Sequence, residues 1–277
     1  MTRIAICAPS APLARDAAER VHALAEAEFP ALDLQFHEQC FADAGHFAGF
    51  DAVRLAALLD CANDPGTDAV WFARGGYGAV RIAAEAIAGM GPAAKHKLFL
   101  GYSDGGGLLA PLYRARIGRP VHGPIPGDIR RTNGETAVRR ALDFLAGGRG
   151  GLEPGLDHRP TVAFNLMTLA SILGTSLTPD LAGHVVLVEE VSEHLYAVDR
   201  LLFHVTAHLA QMGIAGLRLG RVSEVPENDR PFGSEPGAMA NYWCERTGIA
   251  YLGRAEIGHD AVNRIVPFGL ASEWRRT

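Results

Sequence analysis

The sequence predicts an α/β protein: an N-terminal parallel sheet covered by helices, followed by a smaller C-terminal domain of mixed α+β character. Three observations lead there. Short apolar runs alternate with longer helical patterns through the first half, the signature of strands joined by crossover helices. One of these runs, Ala69 to Ala73, is apolar throughout, as a strand covered on both faces must be. A glycine-rich, weakly periodic stretch from Ala146 to Gly151 then interrupts the alternation, and divides the chain into units 1–148 and 149–277.

The elements follow in order. Arg3 to Ala8 reads as a first strand that Pro9 stops, and Arg15 to Phe29 as an amphipathic helix. Leu32 to Phe36 alternates with period two, and Ala52 to Ala62 returns to helical spacing. Ala69 to Ala73 ends in Arg74-Gly75-Gly76-Tyr77-Gly78, after which Val80 to Gly89 is helical. Leu98 to Leu100 is a short buried strand ending in Gly101-Tyr102-Ser103-Asp104-Gly105, with a helix from Leu108 to Arg116 after it. Beyond the boundary, Asn165 to Leu173 reads as a helix and Val185 to Val188 as a strand running into Glu189 and Glu190. Leu195 to Met212 is a long helix, and the tail reads as short strands and turns rich in Gly and Pro.

Composition excludes several function classes. The 277 residues carry 26 Lys+Arg against 31 Asp+Glu, a formal charge of −5, so the basic excess needed to neutralise a nucleic acid or an anionic membrane surface is missing. No apolar run approaches the ~20 residues of a membrane span, and the run before Pro9 is too short for a signal-peptide core, so a cytoplasmic protein is expected. Cys7, Cys40, Cys61 and Cys244 are scattered without a C-x-x-C pair, which suggests neither a zinc site nor a disulfide framework.

Ligands of open α/β sheets bind beyond the carboxyl ends of the strands, where both glycine-rich segments should lie. Gly101-x-Ser103-x-Gly105, between a buried strand and a helix, has the context of a nucleophile elbow: small neighbours allow a sharp turn, the hydroxyl is lifted clear, and the N–H of Asp104 is available to an oxyanion. The same residues equally suit a glycine-rich turn with a solvated serine. A serine nucleophile needs a base and an acceptor to orient it. His259, in Gly258-His259-Asp260 after the apolar run Ile249 to Leu252, and Glu189, at the end of a buried strand, are the candidates. Each also has a plain reading, as a structural histidine and as a surface or helix-start carboxylate like Glu190 and Glu193. His204 and His208 are spaced i, i+4, but His204-Val205-Thr206-Ala207-His208 lacks the glutamate of a zinc-hydrolase motif, and no metal site is expected.

Six segments together resemble a known family. Arg74-Gly75-Gly76-Tyr77-Gly78, Gly101-Tyr102-Ser103-Asp104, His122-Gly123-Pro124, Gly174-Thr175, Val186-Leu187-Val188-Glu189-Glu190 with Tyr196 and Asp199-Arg200, and Gly258-His259 occur in the order found in LD-carboxypeptidases, serine peptidases related to the microcin C self-immunity peptidases. The resemblance implies a Rossmann-like or flavodoxin-like N-terminal domain carrying the nucleophile Ser103, and a C-terminal domain carrying Glu189 and the general base His259, with the active site between them. It implies an oxyanion hole of the Asp104 N–H with that of Gly75 or Gly76, and no metal or organic cofactor. It further implies a muropeptide as small-molecule substrate, cleaved at the L,D amide before a terminal D-alanine in peptidoglycan recycling, and a homodimer. Arg74, Tyr102 and Asn165 are expected to touch the substrate, with Arg74, Arg130 and Arg131 as candidates for its free carboxylate. Where the family has Gly-Gly-Asn-Leu, this chain has Ala163-Phe164-Asn165-Leu166, and the two side chains are expected to reshape the approach to the cleft.

Two other functions fit parts of the pattern. An α/β-hydrolase esterase shares the elbow and the order Ser, acid, His, but the chain has no HGGG-type segment. A non-catalytic nucleotide or sugar-phosphate binding module would use both glycine segments as phosphate cradles, yet neither carries a Walker lysine.

Overall fold

Strands buried on both faces need helices on both sides, and the structure, a computed structural model describing residues 1–274, supplies them. The first sheet contains β1 (Thr2–Cys7), β2 (Leu32–Phe36), β3 (Ala69–Phe72), β4 (Leu98–Gly101) and β5 (Arg119–His122), joined by α1 (Arg15–Glu28), α2 (Asp51–Asn63), α3 (Ala79–Gly89) and α4 (Gly106–Ala115). These five strands pair in parallel in the order β2-β1-β3-β4-β5, which is the flavodoxin-like arrangement. Alternation along the strands sends Ile4, Ile6, Trp71 and Leu100 into one core and Ala5, Cys7, Val70, Phe72 and Phe99 into the other. The first core is closed by α1 and by α5 (Gly134–Leu145), the second by α2, α3 and α4.

The second sheet is more regular than the expected mixed α+β domain. Its strands β6 (Thr161–Asn165), β7 (Val185–Val191), β8 (Gly216–Ser223) and β9 (Tyr251–Arg254) are all parallel and adjacent in chain order. They are connected by α6 (Leu166–Ile172), α7 (Leu195–Met212) and α8 (Pro236–Thr247). The tail therefore contains a helix of three turns where the sequence suggests only strands and turns. α8 buries only Met239, Ala240 and Cys244, too thin an apolar stripe to stand out among its polar residues. α5 lies just before the glycine-rich break.

The final strand, β10 (Val266–Pro267), returns to the first sheet and pairs antiparallel with β5, so the chain beyond residue 148 contributes to both sheets. The larger apolar core is likewise continuous: Val70, Phe72 and Phe99 share it with Phe164, Val186 and Val188 of the second sheet. Among the described residues, no helix is long and apolar enough to cross a membrane.

The strand ends of the first sheet are fixed by Arg54 of α2, whose guanidinium is fully buried. Its Nη1 donates to the carbonyls of Pro9, after β1, and Gly78, after β3, and its Nη2 to Asp51. Replacing it removes the partner of two buried carbonyls while keeping little of the packing. Arg54→Met should therefore lower stability by about 3 kcal/mol in denaturant unfolding, and an unchanged midpoint would show that the carbonyls find other partners.

Candidate active site

In the order β2-β1-β3-β4-β5 the chain reverses direction across the sheet between β1 and β3, which opens a crevice at the carboxyl ends of the strands. The loops after β1, β3 and β4 meet there. Ser103 follows β4 in a single 3-10 turn leading into α4, with φ +58°. A non-glycine residue in the left-handed region is strained, and here the strain presents the hydroxyl to the crevice. Its neighbours must be small. A Cβ on Gly101 would lie 2.5 Å from the Phe72 ring, and one on Gly75 would lie 2.8 Å from Ser103 Oγ.

Asp104 locks these loops together. Its Oδ2 accepts from Ser10 Oγ at 2.5 Å and from the N–H of Ala79 at 2.8 Å, which ties the loop after β1 and the start of α3 to the elbow. Burial pushes its carboxyl pKa up, against the hydrogen bonds from Ser10 and Ala79. Across the sheets, Thr168 Oγ1 of α6 donates to the Ser103 carbonyl at 3.3 Å.

Glu189 and His259 reach Ser103 from the second sheet. Opposite Glu189 the β7–β8 register is irregular: Val188 pairs with Leu219 but Glu190 with Val222, so β8 holds one extra residue there. Gly220 in that stretch admits the close approach of Ile257 and Glu189, since a Cβ on it would lie 2.5 Å from the Ile257 carbonyl and 3.0 Å from Glu189 Cβ. Glu189 is fully buried and His259 nearly so. The Nδ1–H of His259 donates to Glu189 Oε2 at 2.7 Å, which leaves Nε2 as the acceptor facing Ser103 Oγ at 3.0 Å. Burial disfavours the imidazolium, but the charge and hydrogen bond of Glu189 outweigh it, and the His259 pKa is held above the usual histidine value. The arrangement can move the serine proton to the imidazole and stabilise the cation so formed. The N–H groups of Gly75 and Gly76 make no hydrogen bond within the protein among the described residues, and both glycines line the same crevice.

Tyr102 packs its ring on His259 with centroids 4.7 Å apart, and donates its hydroxyl to Asp128 Oδ1 at 2.7 Å. Asp128 also accepts from the Ile125 N–H at 3.0 Å, and no sequence signal marks it. His122, whose ring meets Tyr102 on another side, is buried, and burial lowers its pKa to about 4, so it is neutral.

The cleft around Ser103 and His259 encloses about 620 Å³ and is lined on its walls by Arg74, Arg130, Arg131, Asp128, Ser192 and Glu224. Arg74 lines it, with Nη1 donating to the Pro12 carbonyl at 2.8 Å. Tyr102 lines it too, through its ring.

Asn165 does not line it. Its Nδ2 donates to Glu190 Oε1 at 2.7 Å and its Oδ1 caps α6 by accepting from the Thr168 N–H at 3.0 Å, so both ends of its amide are held within the second sheet and α6. Ala163 and Phe164 are also placed otherwise than expected: both are buried in β6, Phe164 against Phe268 and α4, and neither lines the cleft. Glu190 is a structural partner, accepting from Asn165 and from the N–H groups of Met167 and Val191. The rings of His204 and His208 meet at a tilt on α7 and do not line the cleft, and no group of three metal-capable side chains occurs among the described residues.

Models of two known domains match the chain: the LD-carboxypeptidase N-terminal domain over residues 4–123 and the LD-carboxypeptidase C-terminal domain over residues 160–273. The chain belongs to the LD-carboxypeptidase family. A Synechocystis sp. protein assigned as a carboxypeptidase is 30% identical over 245 residues, 83% of this chain and 77% of its own length. The murein tetrapeptide carboxypeptidase of Pseudomonas aeruginosa is 26% identical, with 96% of this chain and 91% of that protein aligned. Among solved structures, the muramoyltetrapeptide carboxypeptidase of Oxalobacter formigenes superposes with a TM-score of 0.77 at 23% identity, over 96% of this chain and 93% of that one. The microcin C7 self-immunity protein superposes with a TM-score of 0.78 at 16% identity, over 97% and 91%. These two likenesses are of fold. Membership of the family makes the chain a serine-type hydrolase.

The contact between Gly75 and Ser103 is testable in this LD-carboxypeptidase. Gly75→Ala should push the hydroxyl off line with His259 and slow fluorophosphonate labelling of Ser103 by about 100-fold. Labelling at the parental rate would mean that the loop gives way without disturbing the serine.

Proposed function

We propose that the protein is a serine carboxypeptidase that removes the terminal D-alanine of murein tetrapeptides by cleaving the L,D amide bond. The observation that carries this reading is the continuous hydrogen-bonded chain Glu189–His259–Ser103, assembled from two sheets in a member of the LD-carboxypeptidase family. Relatives named for murein tetrapeptide cleavage support the substrate class.

In this reading Ser103 Oγ attacks the amide carbonyl while His259 Nε2 takes its proton, and Glu189 holds the ring in the productive tautomer and stabilises the imidazolium. The developing oxyanion is met by the N–H of Asp104 and that of Gly75 or Gly76. His259 then returns the proton to the departing amine of D-alanine, and water, activated by the same imidazole, releases the acyl group. Arg74, Arg130 and Arg131 place guanidinium groups in the cleft for the free carboxylates of an exopeptidase substrate. The enzyme works in the cytoplasm on recycled wall peptides, as a homodimer. An esterase or a phosphate-binding module has no counterpart in the two matching family models, both of which describe LD-carboxypeptidase domains.

Ser103→Ala should lower turnover of a murein tetrapeptide by about 10⁴-fold or more. Comparable turnover would remove Ser103 as nucleophile. Mass spectrometry of defined tetrapeptides should show loss of the last residue when it is D-alanine and not when it is L-alanine; cleavage of both would count against an L,D-specific site.

The pH profile follows from His259. Only the neutral ring accepts the serine proton, so kcat/KM rises with pH through the histidine pKa, and the acid limb should lie above the ~6.5 of an unperturbed histidine. Glu189→Gln removes the charge that holds the proton on the ring. It should move that limb to lower pH while lowering the plateau, and an unmoved limb would separate Glu189 from the titrating base.

A further inference from the structure

The His122-Gly123-Pro124 segment has no part in the hydrolytic chain, yet its histidine is buried close beside it. His122 ends β5, with its backbone in register with Gly101 at the end of β4 and with Val266 of β10. The N–H of Gly123 donates to the Gly101 carbonyl at 3.0 Å and closes this pairing. Gly101 opens the turn that carries Ser103, so His122 stands at the same sheet edge as the nucleophile.

The His122 ring makes one polar contact, and it leads to the base. Its Nε2 lies 3.2 Å from Oδ1 of Asn263, a fully buried residue in the loop between His259 and β10. That oxygen also accepts the N–H of Gly258 at 3.2 Å. A backbone N–H can donate only to the oxygen of an amide, which fixes the orientation of the Asn263 side chain. Burial keeps the His122 ring neutral, so its single proton sits on Nε2 and points at the same oxygen. One atom of Asn263 thus receives two donors, one from the first sheet and one from the peptide just before His259.

The rest of this loop is fastened elsewhere. Arg140 Nη1 of α5 donates to the carbonyls of Ala261 at 3.0 Å and Asn263 at 2.7 Å, and Arg221 pairs with Asp260, all of which hold the chain after His259. Ahead of it, the Ile257 carbonyl accepts from the Arg221 N–H at 2.9 Å, which ties the chain to β8. Glu189 and Tyr102 meet the imidazole itself and leave its backbone unrestrained. Gly258 has no side chain to anchor, and its N–H is the handle by which the base is referred to the first sheet.

We propose that His122 and Asn263 are positioning residues that hold the Gly258–His259 peptide against the strand end carrying Ser103, so that the base meets the serine hydroxyl in line. Two short legs leave Gly101, one through Tyr102 to Ser103 and the other across to His122, Asn263 and Gly258. They close on the contact between Ser103 and His259, and their lengths set it. The inference rests on Ser103 and His259 being nucleophile and base, and it requires no particular substrate.

Fluorophosphonate labelling of Ser103 tests this without a peptide, because kinact reports the reacting geometry and KI the access to it. His122→Gln places an amide N–H where Nε2 stands, whereas His122→Asn places it nearer the backbone, out of reach of Asn263. The Gln variant should label within about threefold of the parent. The Asn variant should be slower in kinact by about 10- to 100-fold, with KI within about twofold and a melting temperature equal to that of the Gln variant. Adding Asn263→Leu to His122→Asn should cost little beyond the larger single loss, since the two residues act as one unit. A role in packing alone would slow both amide variants alike, so equal kinact in the two, or a loss confined to KI, overturns the proposal. If neither His122 variant folds, Asn263→Asp, which keeps the acceptor, and Asn263→Leu, which removes it, read the same link from its other end: a faster Asp variant supports it and equal kinact overturns it. A parent that is not labelled at Ser103 overturns the nucleophile assignment, and the positioning role with it.

Discussion

Everything at this site depends on one distance, the 3.0 Å between Ser103 Oγ and His259 Nε2, made by residues 156 positions apart on different sheets. Such a contact is only as good as the registration of the sheets. Packing supplies much of that registration: the larger core runs without a break from Val70 and Phe99 to Phe164 and Val188, and Gly106 lets the start of α4 settle on Phe164. Close-packed interiors deform little, so a core shared in this way holds the two sheets in register. The Thr168 hydroxyl on the Ser103 carbonyl then ties the elbow itself to the second sheet.

Around the serine and histidine, the polar groups are arranged so that one proton acceptor is active and its neighbours are quiet. His122 is kept neutral by burial, Tyr102 is kept protonated by burial and Asp128, and the carboxyls of Asp104, Asp128 and Glu190 are all pushed up by desolvation. His259, in contrast to these groups, is shifted toward the charged form, because Glu189 faces it directly. Opposite shifts in adjacent groups are what assign acid and base roles within a crowded pocket.

Much of this was legible in the sequence, for reasons that differ element by element. β3 and the first four residues of β7 are continuous apolar runs, so the positions where these runs stop, and with them Gly75 and Glu189, could be placed at a functional edge, although β7 itself continues through Glu189 to Val191. α7 stands out because eighteen residues of apolar periodicity leave no ambiguity. α8 does not, because only three of its residues are buried. β10 is two residues long and is defined by its partner in β5, which no local pattern reveals. Asn165 illustrates the limit for site residues: a polar side chain beside a motif is as readily a helix cap as a ligand contact, and only the position of Glu190 decides between them. Asp128 is silent in sequence because its role is set by a tyrosine 26 positions earlier.

The return of β10 to the first sheet bears on how the molecule is made. His259 follows Ser103 by 156 residues, and the strand that fastens its segment beside His122 is formed by residues 266–267. During synthesis from the N-terminus, the first sheet can collapse around β1 to β5 with its strained serine already exposed, yet the imidazole is still inside the ribosome. The serine acquires its partner only when a further 156 residues have emerged. A nascent chain therefore carries no competent hydrolase into the crowded surroundings of its own synthesis, and a product truncated before residue 259 cannot become one.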